Sequence, residues 1–204
     1  VTLVPNPRYK GPRTPQNEGI KFVVYSSEEQ AYQDLVDGKL DVLTRIPAEK
    51  LGSFEKELGS RALTKPGGSI MEITIPANDA NFRGEAGRLR RRALSMAIDR
   101  EGMARDIFHG MVLPATGFVA PLDGSIPPTP EGADVLTYQP EKARELWEQA
   151  EKLEPFDGIF SISYNTDGGH KTWIDAVAKQ LSDTLGVPAE GHEFATLKDL
   201  RQEV

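Results

Sequence analysis

Cysteine is absent from all 204 residues. That excludes disulfides, thiolate nucleophiles and cysteine-ligated metals. It assigns no compartment, because exported and cytosolic chains alike do without disulfides. No apolar run approaches the ~20 residues that a membrane-spanning helix needs. Positive charge is in deficit, with 24 Lys and Arg against 31 Asp and Glu and a net charge of −7. This balance argues against nucleic acid as a partner. The three histidines, His109, His170 and His192, form no pair at i+2 or i+4 and no HExxH motif, so no metal site is expected. No serine sits in a GxSxG elbow. The glycine pairs Gly67-Gly68 and Gly168-Gly169 lack the GxGxxG and GxxxxGK[ST] patterns of nucleotide sites. With neither nucleophile nor acid–base constellation, the residues point to no enzyme and no cofactor. The chain opens on Val1 and shows no charged-then-apolar export signal, which reads as a processed chain or a piece of a longer one.

What is present is a globular composition, 38% hydrophobic and 27% charged, too apolar for disorder. Proline and glycine cluster and punctuate the chain. Pro5, Pro7, Pro12 and Pro15 make the opening extended. The spacing predicts a strand over Ile20–Tyr25 and a helix capped by Ser27 and Gln30, ending near Gly38. A strand over Leu40–Leu43, a helix over Ala48–Leu58 and a strand over Ile70–Ile75 after the turn Pro66-Gly67-Gly68 follow. The middle predicts a helix over Glu85–Ile98, then Asp99 as the N-cap of a short helix that Gly110 closes. Val112–Tyr138 reads as a long, proline-rich loop. Pro140 opens a helix carrying Ala143, Leu146, Trp147 and Ala150. Ile159–Tyr164 is expected as a strand, Asn165–His170 as a polar turn and Lys171–Leu185 as a helix stopped by Gly186. A final helix begins near Thr196. The fold class is α/β, or α+β mixed.

Two features invite a functional reading. Arg88, Arg90, Arg91 and Arg92 form a basic cluster, but no aromatic interleaves and Arg90 turns away with Leu94 and Ile98, so a solvated or ion-paired helix face is expected. His170 ends a polar loop between a strand and a helix, where α/β sheets present ligand-contacting loops and helices present free N–H groups. The plainer alternative has Asp167 capping the helix and His170 facing solvent. His109, at a helix end before Gly110, can interact with the terminal carbonyls, and His192 reads as a strand-edge surface residue.

The run Arg92-Ala93-Leu94-Ser95-Met96-Ala97-Ile98-Asp99-Arg100 resembles the R-x-A-L-x-x-A-I-D-R segment of the oligopeptide- and dipeptide-binding proteins of ABC importers, solute-binding family 5. Asn6-Pro7-Arg8-Tyr9 resembles the family's N-P-x-Y. Leu35, Gly38 and Asp41 fit its A-x-x-x-L-x-x-G-x-x-D stretch. Phe108-His109-Gly110 through Pro114 and Pro121 resembles its loop after the A-I-D-R helix, and Tyr164-Asn165-Thr166 and Gln180-Leu181 to Gly186-Val187 resemble its next strand, turn and helix. The family has an apolar residue where Arg90 stands.

The resemblance implies a fragment of a two-lobed periplasmic-binding fold of the second type. Residues 1–69 would be part of lobe I, and residues 70–204 the hinge-crossing strand and core of lobe II, truncated at both ends. It implies a monomeric, extracytoplasmic protein, lipid-anchored at full length, that binds oligopeptides or dipeptides and delivers them to a membrane permease. His170, Asn165, Thr166 and His109 would contact the peptide, His170 near its carboxyl end. The alternatives are a non-peptide solute, such as a nickel complex or a sugar, on the same fold, or a small α/β enzyme.

Overall fold

The computed structural model describes residues 1–65, 67–76, 78–120 and 130–203, apart from the side chain of Asp167. The turn at Pro66 and the prolines 121, 127 and 128 of the long loop therefore lie outside the described residues. The chain divides into two compact units, residues 1–61 and 62–204.

In the first unit, a two-residue antiparallel ladder joins β1 (Thr2–Leu3) to β2 (Ile20–Lys21). Helix α1 (Glu28–Val36) starts where Ser27 accepts from the Gln30 N–H, the expected cap. Ala31, Tyr32 and Leu35 form its buried stripe. The helix expected over residues 48–58 is broken: a 3-10 turn at Ala48–Lys50 is followed by α2 (Phe54–Leu58). Gly52 and Ser53 interrupt it, two poor interior formers in succession.

Of three expected strands, one forms in part and two do not form. Ile20–Tyr25 shrinks to its first two residues, and Leu40–Leu43 and Ile70–Ile75 are extended without a ladder. A strand needs a neighbour for its N–H and C=O groups; Val1–Leu3 supplies one only as far as Phe22, and among the described residues no ladder forms at Leu40–Leu43 or Ile70–Ile75. Ile73 and Ile75 still pack one side against the core of the second unit.

That core is built by helices. Helix α3 (Gly84–Met96) and helix α5 (Pro140–Leu153) meet through Leu89, Ala93 and Met96 on one side and Ala143, Leu146, Trp147 and Ala150 on the other. Ala93, Ala143 and Ala150 are fully buried in this core, and such small side chains let helix backbones approach. The α3 sequence continues into Ile98-Asp99-Arg100, where packing turns into hydrogen bonding. Asp99 caps α4 (Arg100–Asp106), its side chain accepting from Gly102 N–H at 2.8 Å, and its own N–H donates to Gln180 Oε1 at 2.8 Å. Arg100 reaches back to the carbonyls of Ser95 (2.9 Å) and Leu136 (3.2 Å), tying the end of α3 to a 3-10 turn at Ala133–Leu136. That turn interrupts the stretch expected to be loop. Burial lowers the affinity of Arg100 for its proton.

The basic cluster resolves residue by residue. Arg88 pairs with Glu85 and Arg92 with Asp134 at the surface, as an ion-paired face requires. Arg91 donates to the Phe82 carbonyl. Arg90, which turns away from that face with Leu94 and Ile98, is ion-paired in the interior: its side chain is wholly buried, paired with Glu151 at 3.1 Å and donating to the carbonyls of Asn81 and Glu154. Phe156 and Trp147 flank its guanidinium. The position is apolar by geometry, and a paired arginine fills it.

The rest of the second unit is a β–α–β unit. Strand β3 (Phe160–Asn165) runs parallel to β4 (Ala189–Phe194), and helix α6 (Lys171–Leu185) makes the crossover that a parallel pair needs. Ile174, Val177, Ala178, Leu181 and Leu185 bury the helix against Ile162 and Tyr164. Gly186, with φ 71°, ends α6 as expected. Helix α7 (Leu197–Glu203) follows. Among the described residues no helix is long and apolar enough to cross a membrane.

Candidate functional site

The carboxyl end of β3 gathers three of the four candidate residues. Asn165 is the last residue of the strand, and its position opposite Phe194 in the parallel ladder buries it. Thr166 opens a single 3-10 turn, residues 166–168, and its hydroxyl donates to the Ala195 carbonyl at 3.2 Å. This ties the loop after β3 to the loop after β4. Gly169 closes the turn with φ 68°, a conformation that costs other residues but not glycine. His170 then stands at the N-cap of α6, its carbonyl accepting from Ile174 N–H at 3.1 Å.

His170 is half-buried and does not face solvent freely. Its Nδ1 accepts from Trp173 Nε1–H at 3.2 Å. Gly168 supplies the room for its other edge: a β-carbon there would lie 2.3 Å from His170 Nε2 and 2.7 Å from Asn165 Nδ2. The polar tips of Asn165 and His170 thus converge over one glycine α-carbon. The N-cap position of His170 carries no side-chain cap, and the alternative in which Asp167 supplies one concerns a side chain outside the described set.

Charged groups border this turn. Lys171 pairs with Asp175 at 2.8 Å, and that hydrogen bond raises its proton affinity. Tyr164 is buried, which pushes its hydroxyl up from the usual phenol range, and it donates to Glu193 at 3.4 Å. Among the described residues, no group of three histidine or carboxylate side chains is placed to hold a metal ion.

His109 is elsewhere. It is exposed after α4, in a left-handed conformation with φ 49°, and no contact places it beside Asn165, Thr166 or His170. His192 is exposed on β4 with its ring against Phe194, the surface position expected of it. Trp173 escaped the sequence reading, and Gly168 entered it only as half of a glycine pair without a nucleotide pattern. The i, i+3 spacing of His170 and Trp173 across the first turn of a helix is the signal that was available for the first.

Comparison with known proteins completes the picture. The sequence profile of the middle part of the bacterial extracellular solute-binding proteins, family 5, matches residues 1–192. The dipeptide-binding protein DppE of Bacillus subtilis is 24% identical over 92% of this chain and 34% of its own length. The glutathione-binding protein GsiB of Escherichia coli K12 is 27% identical over 89% of this chain and 34% of its own. The solved structure of OppA from Burkholderia pseudomallei superposes with a TM-score of 0.67 at 24% identity, covering 86% of this chain and 35% of that one. That likeness establishes a shared fold. The chain spans about a third of the length of each of these relatives.

Proposed function

The chain belongs to the bacterial extracellular solute-binding proteins, family 5, and on that premise we propose that it is part of a peptide-binding protein that delivers oligopeptides or dipeptides to an ABC permease. Residues 1–69 belong to lobe I in this reading. Residues 70–204 cross to lobe II and build its core. The protein acts outside the cytoplasmic membrane as a lipid-anchored monomer and catalyses no reaction.

The observation that carries this reading is the convergence of Asn165, Thr166 and His170 at the carboxyl end of β3, within a chain matched almost end to end by the family profile. A peptide carries an acceptor on every carbonyl and on its carboxylate. An imidazole and a carboxamide over a glycine turn, at the start of a helix, match those acceptors. His109 lies apart from this group and has weaker support as a peptide contact.

Mass identification of the ligand that co-purifies with the full-length protein tests the proposal. A peptide is expected. A sugar or a metal complex would favour the non-peptide reading, and turnover of ester or peptide substrates would favour an enzyme.

A further inference from the structure

Residues 70–75, Ile-Met-Glu-Ile-Thr-Ile, are extended, and none of their backbone N–H and C=O groups has a hydrogen-bond partner among the described residues. Their side chains nevertheless follow the two-residue period of a strand. Ile73 and Ile75 pack on the core of the second unit. Glu72 and Thr74 are exposed on the opposite side, where the threonine hydroxyl donates to Glu72 Oε1 at 3.4 Å. Met71 belongs with the isoleucines by period, yet it is 48% exposed. One face is therefore seated on a core while a whole row of strong donors and acceptors stands unused. Folded proteins pair such groups, and an open row of them is a template for another strand.

We propose that residues 70–75 are a docking edge for a strand of the same polypeptide that lies outside these 204 residues. This rests on the reading of the chain as part of a longer binding protein, since it spans about a third of the length of its relatives. A strand tethered in the same chain acts at an effective concentration of roughly a millimolar, above that of a second copy or a free peptide. It completes the ladder and places a side chain beside Met71. The edge is then filled whether or not ligand is bound.

Hydrogen exchange of the ligand-free, full-length protein, read amide by amide, is the test. Successive N–H groups of a strand point to opposite edges, so one neighbour protects every second amide and two neighbours protect all of them. The expected result is exchange slowed roughly a hundredfold or more at Met71, Ile73 and Ile75, or at Glu72 and Thr74, at every protein concentration. Met71→Pro and Glu72→Pro remove donors on opposite edges. At least one of them lowers the unfolding midpoint of the full-length protein by several degrees more than alanine at the same position. Exchange at the free-chain rate throughout, or two proline variants as stable as their alanine counterparts, overturns the proposal. So does protection that rises with protein concentration, which marks a second copy, or that appears only with added peptide, which marks the ligand as the strand. A sugar or a metal complex as the natural ligand sinks the peptide reading and leaves the protection in place.

Discussion

Arg90 and Glu151 join α3 to α5 by an ion pair of 3.1 Å in which the guanidinium has no exposed surface and the carboxylate is a third exposed. The asymmetry matters. Water partly solvates the acid, whereas the base depends on Glu151 and two backbone carbonyls.

Removing the acid should therefore cost more than the pair's net worth. Glu151→Ala leaves a buried cation short of a partner and is expected to destabilise the full-length protein by about 3 kcal/mol in denaturant unfolding. Arg90→Met combined with Glu151→Met should recover part of that loss, because an apolar pair needs no counter-charge. Arg88→Gln, which disturbs only an exposed pair with Glu85, should stay within about 0.5 kcal/mol. Equal effects at Arg88 and Glu151 would contradict the burial described here.

The same helix shows how far the sequence could be read. Its apolar positions predicted the element to within two residues, and Trp147, Ile174, Val177, Leu181 and Leu185 are buried where helical spacing placed them. Arg90 was legible as turning away with Leu94 and Ile98 but its partner was not, because Glu151 lies 61 residues away. Strand β4 was legible only as the edge that carries His192, without bounds, because Ala-Glu-Gly-His-Glu-Phe has no apolar alternation; it pairs with β3 in parallel across the α6 crossover. Conversely, Met71, Ile73 and Ile75 alternate well and form no ladder. Alternation records a two-sided environment, whereas a strand also requires a neighbour. At the site, position pointed to His170, Asn165 and Thr166, and side-chain geometry was needed to add Trp173 and Gly168.

Tyr32 gives a pH-dependent prediction for the first unit. Its hydroxyl donates to Glu57 at 2.8 Å, and burial followed by that bond pushes it up from 10.0 to about 12. Between these values the folded chain keeps a proton that the unfolded chain has lost. Unfolding then releases a proton, so the contribution is complete below pH 10.0 and disappears as pH rises through about 12. Tyr32→Phe should flatten this part of the alkaline stability curve and cost about 1 kcal/mol at neutral pH through the lost hydrogen bond. An identical alkaline slope in the variant would contradict the assignment.

Gly168→Ala probes the site without attacking the core. The atoms nearest the added methyl are at the tips of His170 and Asn165, side-chain ends rather than backbone. Stability should change by less than about 1 kcal/mol. Peptide affinity should fall several-fold as both polar tips are displaced. Large destabilisation with normal binding would mean that the turn is structural and the ligand lies elsewhere.

The most direct measurement is titration calorimetry of peptides against the full-length protein, unmodified and as His170→Ala. A hydrogen bond to a charged ligand group contributes about 1.5–3 kcal/mol, so the variant should bind roughly ten- to a hundredfold more weakly. The unfolding midpoint of the two proteins should be nearly the same, because the imidazole lies beside the core rather than within it. Peptide binding in the unmodified protein and a tenfold or greater loss in His170→Ala is the result predicted. No peptide binding at all, or equal affinity in both proteins, would contradict it.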